Sequence, residues 1–154
     1  MPDAFLLYLS PFITLLIGAA AWYLGLRQQR TNDLRLKHEL FERRYKVYDS
    51  LLVFLSRTLQ DSKPSTEACI SFLRETNQAK FLFGPEIPEY LDSVYKKGLA
   101  LISSDRQLNS DRQLGDKERS RVIDENVALM KWFGDQFDVA GERFGKDLNL
   151  TRLK

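Results

Sequence analysis

The chain has 154 residues, with 23 Lys and Arg against 21 Asp and Glu and a formal net charge of +2. So near a balance gathers no polyanion, and neither a one-signed basic helix face nor a recognition motif is present, so nucleic-acid binding is a poor reading. The single cysteine, Cys69, excludes an intramolecular disulfide and agrees with a reducing compartment.

Residues 4–26 contain no charged side chain. As a helix rising about 1.5 Å per residue they reach roughly 34 Å, enough to cross a hydrocarbon core of about 30 Å, and the run predicts a transmembrane helix. Ala19-Ala20-Ala21 would serve as the cleavage site of a signal peptide. Against that reading, Met1-Pro2-Asp3 carries no Lys or Arg, and the run exceeds the usual h-region of about 7–15 residues. Trp22 and Tyr23 suit the headgroup level where a span ends, and Pro11 bends the outer end. Seven basic residues follow in 27–46 (Arg27, Arg30, Arg35, Lys37, Arg43, Arg44 and Lys46) and none precedes them. That asymmetry predicts residues 1–3 outside and 27–154 in the cytoplasm.

Two candidate interaction features accompany the span. Ser10, Thr14, Gly18, Ala21 and Gly25 recur at steps of four, four, three and four, and so share one helix face. Small residues on a face let a second helix approach closely, either a partner membrane protein or another copy of the chain. Such residues are also common in spans, and a plain anchor needs no partner. Arg27, Arg30, Arg35 and Lys37 form a basic collar attracted to anionic lipid headgroups, at about 1 kcal/mol per residue near the surface.

The remainder predicts an antiparallel bundle of about four helices, giving an all-α chain. Between 34 and 59, Leu34, Phe41, Tyr45, Tyr48, Leu52, Leu55 and Leu59 form one apolar row, with Leu36, Leu40, Val47, Leu51 and Phe54 beside it. Together the rows cover about half the circumference, so this helix is expected to have neighbours on two sides. Arg35, Glu39, Glu42, Arg43, Lys46, Asp49 and Arg57 fill the opposite arc as a solvated face. Thr31-Asn32-Asp33 reads as a possible fresh N-cap, which leaves open whether this helix continues the span.

Pro64-Ser65-Thr66-Glu67 signals the next start, with Ser65 or Thr66 as N-cap. This helix turns Ala68, Cys69, Phe72, Leu73, Ala79 and Phe83 inward and stops at Gly84-Pro85, with Gly84 in a left-handed cap. Another helix begins near Pro88, with Ile87, Tyr90, Leu91, Val94, Leu101 and Ile102 on its core face. Gly98 shares that face and permits a close crossing, at about 1 kcal/mol of helix propensity. Ser104-Asp105-Arg106-Gln107-Leu108-Asn109 then recurs as Ser110-Asp111-Arg112-Gln113-Leu114-Gly115, a period that matches neither a helix nor a solenoid, and 103–115 reads as a polar linker. The last helix starts near Asp116, turns Val122, Leu129, Phe133, Phe137, Ala140 and Phe144 inward, and carries Asn126 on that seam to set register. Gly145 caps it, and Leu148, Leu150 and Leu153 dock a short tail.

Chemistry-bearing patterns are sparse. His38, the one histidine, has no second His or cysteine pair near it in sequence, so common zinc spacings and Ser–His or Cys–His dyads are not legible. No phosphate-cradling glycine loop or dinucleotide fingerprint occurs, and Cys69 lies on an apolar face. The expectation is therefore no cofactor, no metal, no catalytic residue and no small-molecule substrate.

Leu40-Phe41-Glu42-Arg43-Arg44-Tyr45-Lys46-Val47-Tyr48, Phe81-Leu82-Phe83-Gly84 and Lys131-Trp132-Phe133 carry a resemblance. Across most of 36–150 the chain resembles a group of small uncharacterised bacterial proteins that pair one N-terminal span with a cytoplasmic helical domain. The resemblance implies a bacterial inner membrane and says nothing about mechanism. Two functions fit: a non-catalytic membrane-anchored interaction or scaffold module, or an accessory subunit of a signalling or transport complex that pairs through its span.

Overall fold

The structure, a computed structural model, describes residues 3–109 and 115–148, with side chains described at 15–24, 28, 32 and from 34 onward within those bounds. Among the described residues there are five helices and no strand: α1 (Asp3–Gln60), α2 (Thr66–Thr76), α3 (Ala79–Leu82), α4 (Glu86–Leu108) and α5 (Asp116–Gly145). The chain is all-α, as its periodicity predicts. It divides into two compact units, Met1–Glu39 and Leu40–Lys154. Thr31-Asn32-Asp33 lie inside α1 and start no new helix.

Among the described residues no helix is long and apolar enough to cross a membrane. Of the 4–26 run, side chains are described only at 15–24, and a stretch of that length rises about 15 Å, half of a hydrocarbon core.

The second unit is built on one row of α1. Val47, Leu51, Phe54, Leu55 and Thr58 are buried there. Of the other predicted row, only Leu55 is fully buried; Leu34 and Tyr45 are exposed, and Phe41, Tyr48, Leu52 and Leu59 are half-buried. Leu36 is exposed as well. Two apolar rows about 100° apart fit one sequence pattern equally well, and only the neighbours decide which faces inward. The outer aromatics cover one another instead, with ring centroids 6.1 Å apart for Phe41–Tyr45 and 6.2 Å for Tyr45–Tyr48.

Ser65 caps α2 as expected, its hydroxyl accepting from the Ala68 amide at 3.0 Å. The single helix predicted to run to Gly84 breaks in two. Thr76 turns its hydroxyl back to the Phe72 carbonyl at 2.7 Å, and the one-turn α3 follows after Asn77 and Gln78. Thr and Asn compete with helical hydrogen bonding through their side chains, which accounts for the break. Cys69, Phe72 and Ala79 face inward as predicted, whereas Leu73 is exposed. No described glycine has a positive φ, so the left-handed cap predicted at Gly84 does not form, while α5 ends at Gly145 without one. α3 ends instead on extended backbone at Phe83, and the left-handed residue after α1 is Ser62, at φ 63°.

α4 packs against α2, α3 and α5. Ile87, Tyr90, Leu91, Val94, Gly98 and Leu101 form its buried face, with Ile102 half-buried. A Cβ placed on Gly98 would stand 3.0 Å from Phe54 Cζ, so the glycine leaves room for that ring. The polar linker predicted over 103–115 is corrected in its first half, because α4 continues to Leu108. Ser104 extends the buried row, and Asp105 pairs with Lys63, so the first hexapeptide copy is held in the helix. Residues 110–114 of the second copy lie outside the described residues.

α5 buries Val122, Phe133, Ala140 and Phe144, with Leu129 and Phe137 half-buried. The Asn126 amide donates to the Ser104 hydroxyl at 3.1 Å, and that hydroxyl donates to the Leu101 carbonyl at 3.0 Å. This polar link fits α5 to α4 in one register, the role predicted for Asn126. Leu148 packs on the core; Leu150 and Leu153 lie outside the described residues.

These assignments fix the cost of substitution. Leu51→Ala should lower unfolding free energy by about 2–5 kcal/mol, and Tyr45→Ala by less than about 1 kcal/mol. Gly98→Ala should destabilise despite the propensity gain of about 1 kcal/mol, because the Phe54 ring is held between Phe72 and Phe133 and cannot withdraw. Denaturant unfolding of the three variants checks this, and a stabilised Gly98→Ala would show that the Phe54 ring can move aside.

Candidate functional site

In the first unit, Gly18 and Ala21 lie exposed on α1, and a Cβ added at Gly18 would meet nothing within 4 Å. The side chains of Ser10 and Thr14, and the surroundings of Gly25, lie outside the described set. Leu15, Leu16, Ile17, Trp22, Tyr23 and Leu24 are all 55–73% exposed. At about 100° per residue these six cover about 220° of the helix circumference, and the exposed Gly18 and Ala21 occupy the remaining arc, so 15–24 is apolar all round and bulky on one side. Of the predicted collar, Arg35 and Lys37 are exposed; Arg27 and Arg30 have no described side chains. Arg35 and Lys37 are two residues apart and thus on nearly opposite sides, which suits a ring of charge rather than a one-sided patch.

The side chain whose placement sequence reading missed is that of Arg44. It stands with the basic residues of 27–46 in composition, yet it turns into the second unit. Its Nε donates to the Leu82 carbonyl at 2.9 Å and its Nη1 to the Asp147 carbonyl at 3.2 Å, with the Asp147 carboxylate 3.9 Å away. Its guanidinium also lies 5.5 Å from the centre of the Phe83 ring. Both carbonyls belong to helix ends, α3 and the turn after α5, where acceptors lack intrahelical donors and a cation is favoured. Beneath it, Phe144 meets Phe83 edge-on at 5.2 Å and Tyr48 at 5.3 Å. The signal was present: Arg44 interrupts the buried row Leu40, Val47, Leu51 at its four-residue step. This contact also explains the Phe81-Leu82-Phe83-Gly84 element in part, since Leu82 supplies the acceptor and Phe83 the ring face.

Titratable groups with displaced pKa values are buried and structural. Burial pushes the Cys69 thiol up, which keeps it protonated and unreactive. Burial likewise raises Tyr90 to about 12 against the opposing pull of Arg143, while Tyr48 adds a small upward push. The Tyr90 hydroxyl donates to the Gln136 carbonyl at 3.5 Å, and Arg143 stands 4.8 Å over its ring. Among the described residues, no three His, Cys, Asp or Glu side chains are grouped to hold a metal ion. A shallow depression between the end of α1 and the start of α2 is lined by Arg57, Gln60, Asp61, Pro64, Ser65 and Glu67. It is open and mainly polar, unlike the enclosed apolar clefts that take small ligands. His38 is exposed on α1.

No family model, curated protein or solved structure matches the chain.

Replacing Arg44 tests its placement. Arg44→Gln should cost about 1–3 kcal/mol, the range for a charge-assisted hydrogen bond lost from a part-buried site. Arg44→Lys should recover less than half of that, because an ammonium cannot reach two divergent carbonyls and stack on a ring. Thermal unfolding of the two variants beside Arg43→Gln, an exposed neighbour expected to be near neutral, makes the comparison.

Proposed function

We propose that the chain is a non-catalytic, single-pass, membrane-anchored interaction module at the cytoplasmic face of a bacterial inner membrane. Residues 4–26 form the anchor, Arg27, Arg30, Arg35 and Lys37 meet anionic headgroups, and the bundle from residue 40 onward is the part presented to partners. The observation that carries this reading is the exposure of six large apolar side chains on α1 between 15 and 24, with only Gly and Ala on the rest of its surface. An apolar helix surface of that kind requires cover, and lipid supplies it without a complementary protein groove. The uncharged residues on either side of 15–24 bring the run to a spanning length. The basic residues that follow favour a cytoplasmic bundle and an outward N-terminal segment.

Gly18 favours one second reading. Its open backbone would accept a close partner helix, which suits an accessory subunit paired through its span to a membrane signalling or transport complex.

Alkaline extraction of bacterial membranes tests the anchor. The full chain should remain in the membrane pellet, and Leu16→Arg with Ile17→Arg should move it to the soluble or aggregated fraction, since each mid-span arginine costs about 2.5–3.5 kcal/mol. A fluorescent reporter after Lys154 should be active and an alkaline phosphatase at the same place inactive. Release of the unaltered chain by alkali would overturn the anchor, and an active phosphatase would overturn the orientation.

A further inference from the structure

α5 carries a second seam that the described residues cover only in part, at Met130 and Phe137. Ile123, Val127, Met130, Gly134, Phe137 and Gly141 follow steps of four, three, four, three and four, one residue out of phase with the seam that meets α4. Ile123 is 43% exposed and Val127 63%, while Met130 and Phe137 are half-buried. Gly134 and Gly141 are exposed, and a Cβ on either would meet nothing within 4 Å. Each glycine weakens the helix by about 1 kcal/mol relative to alanine. At Gly98 the Phe54 ring explains the glycine; at Gly134 and Gly141 no neighbour among the described residues does.

We infer that this seam is an interface for a second copy of the chain, docked antiparallel along α5. Size complementarity supports the choice. With two copies of α5 antiparallel and Val127 opposite the partner's Met130, Ile123 falls opposite the partner's Gly134 and Phe137 opposite the partner's Ser120. The central layers then join Val127 to Met130, and on either side of them a large side chain, Ile123 or Phe137, meets a small residue. Charge is the independent argument. The flank of the seam away from α4 carries Lys117, Asp124, Lys131 and Asp138, alternating in sign every seven residues and all exposed. In the same antiparallel register Lys117 stands beside the partner's Asp138, and Asp124 beside the partner's Lys131, with the symmetric pairs repeated. A twofold interface demands self-complementarity of this kind. A parallel pair would set this charged flank against the partner's other flank, where Phe133 and Ala140 are buried. The interface involves α5 alone and stands whether or not the anchor does.

Disulfide trapping of the full chain purified in detergent is the test. Ile123→Cys with Gly134→Cys should give a covalent dimer on mild oxidation. The two positions lie about 16 Å apart along one helix, too far for an intrachain bridge. Gly134→Cys alone should stay monomeric, because in the antiparallel register the two copies of that position are equally far apart. The unaltered chain, with Cys69 buried, is the control. In parallel, sedimentation should show Lys131→Glu weakening the dimer about tenfold and Asp124→Lys with Lys131→Glu restoring it. Failure of the double-cysteine variant to cross-link, dimerisation by Gly134→Cys alone, or no restoration in the charge swap would each overturn the proposal.

Discussion

Within the second unit, the contact on which the rest depends is Phe54 set against the bare backbone of Gly98. The ring of Phe54 on α1 occupies the place that a side chain at 98 on α4 would take. The same ring stacks on Phe72 of α2, with centroids 4.4 Å apart, and meets Phe133 of α5 at 6.3 Å. One side chain thus touches three other helices, and its position selects which of two apolar rows on α1 becomes core. Once Phe54 faces inward, Val47 and Leu51 follow by helical period, and Arg44 falls on the same row. Its charge is then tolerated only because two helix-end carbonyls and an aromatic face are waiting for it.

Polar groups elsewhere in this unit are committed in the same manner. Asn126 and Ser104 join α5 to α4, Tyr90 reaches the Gln136 carbonyl, and Thr58 and Thr76 bond back along their own helices. Among the described residues no buried side-chain nitrogen or oxygen lacks a partner. Groups so engaged hold the fold and are not poised over an open cleft. What the chain leaves available is surface: the apolar cylinder at 15–24 and the second seam of α5. The two proposals made for this protein rest on those surfaces.

Much of the architecture was legible from spacing. Ser65 as a cap, the inward face of α4 with Gly98 on it, and the contact of Asn126 across the α4–α5 seam each follow from residue type at a defined position, and each appears in the structure. The losses have physical causes. Leu34, Leu36 and Tyr45 were read as core because periodicity locates apolar rows without saying how far neighbouring helices extend over them. The left-handed cap at Gly84 was read from frequency, whereas α3 ends on extended backbone at Phe83. The linker failed at Asp105, whose partner Lys63 is distant in sequence. Arg44 was overlooked because a basic residue among basic residues looks like collar, although its place in the row Leu40, Val47, Leu51 marked it as exceptional. The second seam of α5 was hidden for a related reason, since Gly134 and Gly141 do not register as apolar until their surroundings are seen to be empty.

The central claim is that lipid covers residues 15–24. Spin labels placed singly at Leu15, Ile17, Ala20, Trp22 and Leu24 in the vesicle-reconstituted chain read this directly, through collision with oxygen, which concentrates in hydrocarbon, and with a water-soluble nickel chelate. The account predicts high oxygen and low nickel accessibility at every position, with a label at the exposed Arg57 showing the reverse. Nickel accessibility at 15–24 equal to that at Arg57 would contradict it.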